Sequence, residues 1–371
     1  MANNLTSSWS SSVGHVTLPT NPDDGSGQFE PSPKEWEFKF DDERQRIILA
    51  CIFCLIAFIG TFGNSLVVLA VLFSRKLRTT TNVFVVSLAA ADLLTCMFLP
   101  FNVVSILSFE EWPIHDCICV IAAVVMYTCV GCSVYTLAAI ALNRYTLITR
   151  SLHVYRRFFS TPKTIFMVAI TWLLPLFYSL IPVMFGLGEL GYDSKYSTCT
   201  HKTSHPLSDY YSIVQAVVIY PVPLAIITLC YASVFMYVRN HAKSITEGPD
   251  NSTSSHTSHS QKRRESALPN RSTSVISRRQ IQITQNLFYV VCAFVICITP
   301  YCLSLIVPRS EPVIPWAGAL ILVNSCINPL IYGTKHPQFK RVMGSILTCR
   351  LHNIPEPAHF LRATQSRFTP R

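Results

Sequence analysis

Asp92 stands inside a run of apolar residues, and Asn64, Ser133, Asn324, Ser325 and Asn328 stand inside three further runs of the same kind. A carboxylate, hydroxyls and amide oxygens at one depth form the hard donor set that a small cation such as sodium takes. The same groups also suit a hydrogen-bonded network that only ties helices together, with Asp92 protonated. Spacing alone leaves both readings open. In either case each polar group needs a partner, because polar side chains in apolar surroundings are costly.

Seven apolar segments have to position these residues, at roughly 47–73, 83–108, 120–142, 164–186, 211–238, 286–306 and 313–333. A helix crosses a bilayer with about 20 apolar residues, and Asp92 is the one formally charged residue within the seven. Half of the 371 residues are hydrophobic, 13% are charged and the mean hydropathy is +0.35. That composition excludes an ordinary soluble domain. The predicted fold class is an all-α membrane protein, a seven-transmembrane helix bundle over 46–335 followed by a short amphipathic eighth helix over 336–349. Pro315 and Pro329 interrupt the seventh segment, which spanning helices tolerate because neighbours re-satisfy the freed backbone groups.

Charge sets the orientation. With the amino terminus outside, most of the 30 Lys and Arg fall in cytoplasmic loops and the tail, while most of the 20 acidic residues fall outside. This is the positive-inside pattern, so the basic balance reflects topology and implies no nucleic-acid partner. Residues 1–45 are rich in Ser, Asn, Asp and Pro without a cleavable leader, and are expected to be a disordered extracellular tail. Asn4 heads a glycosylation sequon there, whereas the sequons at Asn251 and Asn270 face the cytosol and should be silent. The third inner loop, about 240–279, is expected to be disordered. Within it, Arg263-Arg264-Glu265-Ser266 suits either a basophilic kinase or simple attraction to the anionic leaflet. Residues 350–371 form the cytoplasmic tail.

Most of the 14 cysteines lie within helices, where Cys acts as a small apolar residue. Only Cys117, Cys119 and Cys199 are placed outside, so a bridge from the third helix to the second outer loop needs Cys199 and one of the first two. Cys349 follows the amphipathic run Gln338 to Leu347 and is the candidate palmitoylation site.

Gly63-Asn64, Leu88-Ala89-Ala90-Ala91-Asp92, Asn143-Arg144-Tyr145, Trp172, Pro223 with Tyr231, Phe294 with Cys297 and Pro300, and Asn328-Pro329-Leu330-Ile331-Tyr332 follow in order, one set per segment. Over residues 45–350 the chain resembles rhodopsin-like (class A) G-protein-coupled receptors of the plasma membrane. The resemblance implies that an extracellular ligand and a heterotrimeric G protein bias one two-state bundle, with arrestin, kinases and membrane lipid as further partners and no enzymatic chemistry. It implies that Arg144 meets the G protein or packs against Tyr231 and Tyr332, and that Leu152 inserts into the same partner. It also implies that Asp92, Ser133, Asn324, Ser325 and Asn328 hold an allosteric sodium ion, and that Cys119, seven residues after Trp112, pairs with Cys199.

The departures from the pattern are specific. Asn143 replaces the usual Asp beside Arg144, Gln280 stands where an acidic partner would hold Arg144, and Ile298 takes the place of a toggle Trp. The switch should then lean on Phe294 and Tyr301. Asn143-Arg144-Tyr145, Asn82 to Leu88, Asn324-Ser325-Cys326 and Met126 resemble the melatonin receptors and the Moody-like orphan receptors. Pro182 and Val183 stand where melatonin receptors carry an anchoring Asn, and Leu322 replaces the retinal-bearing Lys of an opsin.

For the ligand, the outer halves of the helices offer Leu99, Asn102, Met126, Tyr127, Val130, Gln215, Ile219, Tyr301, Leu305, Ile314 and Gly318, an apolar and aromatic set with two amides and no charge. A buried ammonium would lack a counter-charge there. A neutral or lipophilic small molecule is expected, with an acidic lipid or peptide held at the mouth by Lys202 and Arg309 as the alternative. A transporter would show repeated halves, which are not visible. An intramembrane zinc hydrolase would need His or carboxylate ligands facing one another, whereas all 11 His lie in loops or tails.

Overall fold

The computed structural model describes residues 38–109, 112–214, 220–246, 271–359 and 361, with the backbone alone for 209, 212, 241–246 and 271–282. Its helices are α1 (Glu43–Phe73), α2 (Thr80–Leu107), α3 (Asp116–Thr149), α4 (Leu152–Phe158), α5 (Thr161–Phe185), α6 (Ser208–Val214), α7 (Pro221–Thr246), α8 (Arg271–Ser304), α9 (Ile314–Lys335) and α10 (Pro337–Leu347). Among the described residues seven helices, α1, α2, α3, α5, α7, α8 and α9, are long and apolar enough to cross a membrane. In hydrocarbon only a helix or a closed barrel satisfies every backbone group, which is why apolar runs of this length become helices.

The ends of the spans are marked by local chemistry. Asp42 caps α1 by accepting from the Gln45 amide at 3.0 Å, and Thr79 caps α2 by accepting from the Asn82 amide at 3.3 Å. Proline sits in the first turn of α5, α9 and α10, where its missing N–H is not needed. Gly186, in the left-handed conformation at φ 65°, closes α5.

Small residues bring the helices together. A Cβ at Gly63 would lie 2.9 Å from the Pro329 side chain, and one at Gly131 would lie 2.6 Å from that of Pro175. Helices packed in lipid depend on such close approaches, since lipid is as apolar as the side chains it replaces. The largest core cluster joins Leu88, Leu137, Ile140, Val290, Phe294 and Tyr332, and a second cluster nearer the outer ends joins Phe53, Leu99, Ile106 and Leu322. Phe58, Phe62, Phe166 and Leu173 remain exposed on the periphery, as a lipid-facing surface requires.

Outside the spans, β1 (Leu190–Asp193) and β2 (Thr198–His201) form an antiparallel hairpin in which Tyr192 faces Cys199. The disulfide joins Cys119 to Cys199, with Cα atoms 5.1 Å apart, while Cys117 is free and exposed.

Three features add to the organisation read from the sequence. α7 continues to Thr246 and α8 begins at Arg271, so both ends of the loop expected to be disordered are helical; 247–270 lies outside the described residues. A helix already nucleated in the membrane extends at little cost. The second inner loop contains α4, with Leu152 as its first residue. The chain after α10 also returns to the turn between α1 and α2. There the Ser74 hydroxyl donates to the Pro355 carbonyl at 2.7 Å, the Arg75 amide to the Glu356 carbonyl at 2.9 Å and the Ala358 amide to the Phe73 carbonyl at 2.9 Å, and Ile354 and Ala358 are buried.

Candidate functional site

The polar residues of four helices converge. Asp92 is buried and its two oxygens are both engaged: Oδ1 accepts from the Ser325 hydroxyl at 2.9 Å and the Ser133 hydroxyl at 3.5 Å, and Oδ2 accepts from Asn328 Nδ2 at 2.7 Å. Asn64 Nδ2 donates to the Gly60 carbonyl at 2.9 Å and, across the close α1–α9 contact, to the Ser325 carbonyl at 2.8 Å. The side-chain carbonyl oxygens of Asn64, Asn324 and Asn328 are buried without a hydrogen-bond partner among the described residues. A native core leaves few such acceptors bare. A carboxylate, two hydroxyls and spare amide oxygens are a donor set of the right chemistry for sodium.

At the outer end, a cavity of about 410 Å³ opens between the helices and the hairpin. Of the residues expected to bind ligand, Asn102, Met126, Tyr127, Val130, Tyr301, Leu305 and Gly318 line it, as does Ile314; Gln215 and Ile219 lie outside the described residues. Asn102 is engaged already, its Oδ1 accepting from the Thr198 hydroxyl at 2.9 Å and the Cys199 amide at 3.2 Å, so it fastens the hairpin over the cavity. The charge-free pocket read from the helices needs one correction. The cavity extends to loop residues Lys195, Arg309 and Glu311, which helical spacing does not bring to it. Lys202, the other cation expected at the mouth, pairs with Glu189 at 3.1 Å.

At the inner end, Arg144 is buried and lines a second cavity with Lys76, Arg78, Tyr155 and His336. Asn143 bridges α2 and α4: its Oδ1 accepts from the Thr81 hydroxyl at 2.9 Å and its Nδ2 donates to the Tyr155 hydroxyl at 3.2 Å. Tyr145 takes Arg150, whose Nη2 donates to its hydroxyl at 2.8 Å. Leu152 is 58% exposed, an apolar side chain at the start of α4. Tyr231, Phe294 and Tyr332 are buried in the main core, where the Tyr332 ring stacks on Phe339 of α10 at 5.6 Å. Pro300 lies within α8 and Pro329 within α9 against Gly63. The side chain of Gln280 and the whole of Asn4, Asn251, Asn270 and Arg263 to Ser266 lie outside the described residues. Cys349, just past α10, is exposed.

A family profile described as 7 transmembrane receptor (rhodopsin family) matches residues 63–332. The chain belongs to that family. The receptor is 30% identical over 312 residues to melatonin receptor type 1B-B of Danio rerio, which spans 81% of this chain and 82% of that relative. It is 30% identical over 310 residues to melatonin receptor type 1B of Homo sapiens, covering 81% and 78% respectively. Squid rhodopsin has the same fold, with a TM-score of 0.70 at 19% identity over 90% of this chain and 94% of that one. The receptor is therefore a multi-pass membrane protein of a receptor family whose members are not enzymes.

Two residues of the receptor escaped sequence reasoning. Arg46 is buried at the outer end of α1, donating through Nε to the Ile106 carbonyl and through Nη2 to the Ser108 carbonyl, both at 2.5 Å, with its guanidinium 4.3 Å from the Phe109 ring centroid. It neutralises the carbonyl end of α2. His201 is buried in the hairpin and lines the outer cavity. The period of a strand would have pointed to it, because residues two apart share a face and Cys199 is tied to α3. Burial pushes its imidazole down to about 4, so the ring is neutral near pH 7. Among the described residues no cluster of His, Cys, Asp and Glu forms a metal site of the zinc kind.

Proposed function

We propose that this receptor sits in the plasma membrane with its amino terminus outside and activates heterotrimeric G proteins when a neutral or lipophilic small molecule enters the outer cavity. The observation that carries the reading is the cavity itself: about 410 Å³, within the range that holds a drug-sized ligand, with Met126, Tyr127, Val130, Tyr301, Leu305 and Ile321 among its lining residues. Relatives named as melatonin receptors support a small neutral ligand of that kind, although Pro182 and Val183 lack the anchoring amide that the resemblance leads one to expect.

Coupling is a two-state property. A ligand that prefers one arrangement of the helices strengthens binding of whatever prefers the same arrangement at the inner end. Arg144, which lines the inner cavity, is assigned to the G protein together with Asn143, Tyr145 and the exposed Leu152, and Tyr231, Phe294, Pro300, Asn328, Pro329 and Tyr332 to the change between states. Asp92, Ser133, Asn324, Ser325 and Asn328 would hold sodium, whose positive charge would favour the ionised carboxylate and the arrangement that keeps α2, α3 and α9 together. Arrestin and kinases are assigned to the cytoplasmic face, glycan to Asn4 and palmitate to Cys349.

Lys195 and Arg309, which line the cavity against the single carboxylate of Glu311, favour a second reading, an acidic lipid or peptide. The test is ligand-stimulated nucleotide exchange on purified receptor in lipid vesicles, with neutral lipophilic and acidic compound sets run in parallel. Stimulation by the neutral set supports the proposal, and stimulation by the acidic set alone favours the second reading. Solute uptake without any exchange would favour a transporter.

A further inference from the structure

Two buried thiols from different helices meet at one point of α1. Cys96 of α2 and Cys326 of α9 both donate to the main-chain carbonyl of Ile56, with Sγ to oxygen distances of 3.7 and 3.4 Å. Cys96 is 1% exposed and Cys326 8%. Gly60, one turn further along α1, leaves the room: a Cβ there would collide with Cys96 Sγ and stand 3.5 Å from Cys326 Sγ. The two sulfurs therefore share a single gap. Ile56 lies within α1, where the helix ladder already takes one of the two lone pairs of its carbonyl. Three donors face two lone pairs, so one thiol hydrogen is surplus to the fold. Cys fills apolar space well, but filling alone does not require S–H groups of α2 and α9 to converge on one oxygen.

We propose that Cys96 and Cys326 bind a monovalent thiophilic cation, copper(I), as two ligands facing each other between α2 and α9. Soft sulfur ligands select copper(I), whereas the oxygens around Asp92 suit a hard ion. The surplus proton leaves to solvent as the ion arrives, so that one thiolate and one thiol hold the copper. The charge the ion brings equals the charge the proton removes, and the apolar core gains no net charge. The remaining S–H keeps the Ile56 carbonyl. With bonds near the roughly 2.3 Å of zinc thiolates, an ion between two sulfurs sets them about 4.6 Å apart, a span that sulfurs gathered round one oxygen reach by small rotations. Zinc would need further ligands, and among the described residues no third His, Cys, Asp or Glu joins the pair as a metal cluster. A bound ion ties α9, which carries Asn328 and Tyr332, to α2 in the present arrangement.

The test uses the full-length receptor, purified without oxygen, and copper(I) itself, with bathocuproine disulfonate as a competing chelator that strips copper from single thiols. The wild-type receptor should retain one copper more per molecule than Cys96→Ala or Cys326→Ala. Its copper X-ray absorption spectrum at one equivalent should show two sulfur neighbours. Copper should also raise the wild-type melting temperature and leave that of either variant unchanged. Replacing Cys51 or Cys54, which are exposed on α1, by Ala should leave retention as it is. Equal retention in the wild type and both core variants overturns the proposal, and so does loss of the ion on replacing Cys51 or Cys54. Where an alanine variant fails to fold, Cys96→Ser and Cys326→Ser, which fill the same space, repeat the comparison. A wild-type spectrum with any neighbours other than two sulfurs overturns the proposal without a variant. Neither ligand nor G protein enters the measurement, so failed nucleotide exchange would count against the coupling reading and leave this result intact.

Discussion

Asn64 on α1 donates its side-chain N–H to the main-chain carbonyl of Ser325 on α9 at 2.8 Å, while the hydroxyl of that same Ser325 donates to Asp92 on α2. One residue of α9 thus joins three helices. The arrangement depends on Gly63, whose missing Cβ lets α1 come up to Pro329.

Gly63→Val should therefore separate α1 from α9 and lower thermal stability. Overpacking of this kind costs about 1–3 kcal/mol. Thermal unfolding of the solubilised receptor checks it, and a melting temperature equal to wild type would contradict the proposed contact.

Sodium should raise the melting temperature of the wild-type receptor relative to equal concentrations of choline. In Asp92→Asn the difference between the two salts should disappear. A sodium response that survives the substitution would leave the polar network as helix glue alone.

His201 gives the receptor a pH signature. The unfolded chain takes up a proton near pH 6.5, whereas burial delays uptake in the folded state to about 4, so stability falls as pH drops through that window. At pH 5 the loss attributable to this group is about 2 kcal/mol. His201→Phe should flatten the thermal stability profile between pH 7 and 5; a profile parallel to wild type would show that the ring protonates freely.

Much of this was legible in the sequence. The seven spans follow from length and apolarity, and the polar cluster could be seen because a carboxylate in an apolar run has few explanations. The choice of Cys119 over Cys117 came from the family resemblance, since spacing alone allowed either. Other features left no local trace. Arg46 looks like any charge flanking a span until the carbonyls of Ile106 and Ser108, sixty residues away, come into reach. The return of Ile354 to Ala358 onto the α1–α2 turn has no periodic pattern, and α4 is one short helix in a basic loop. His201 was passed over because it was read as one more loop histidine, whereas it ends β2 beside Tyr127 and Tyr211, brought to it from other parts of the chain.

Leu152 stands exposed at the start of α4, clear of the packing that buries Arg144. Leu152→Asp should reduce nucleotide exchange at least about tenfold, the effect of about 1.4 kcal/mol lost at an interface, while ligand binding in the outer cavity is unchanged. Full exchange activity would remove Leu152 from the contact.

The most direct measurement of the account is guanine-nucleotide exchange by the purified receptor in lipid vesicles, on heterotrimeric G proteins of each class, with and without a library of neutral lipophilic compounds. Exchange should rise above the receptor-free rate on at least one class, rise further with at least one compound, and fall to the receptor-free rate in Arg144→Ala without loss of that compound's binding. Exchange that never exceeds the receptor-free rate on any class, or that is untouched in Arg144→Ala, would contradict the account.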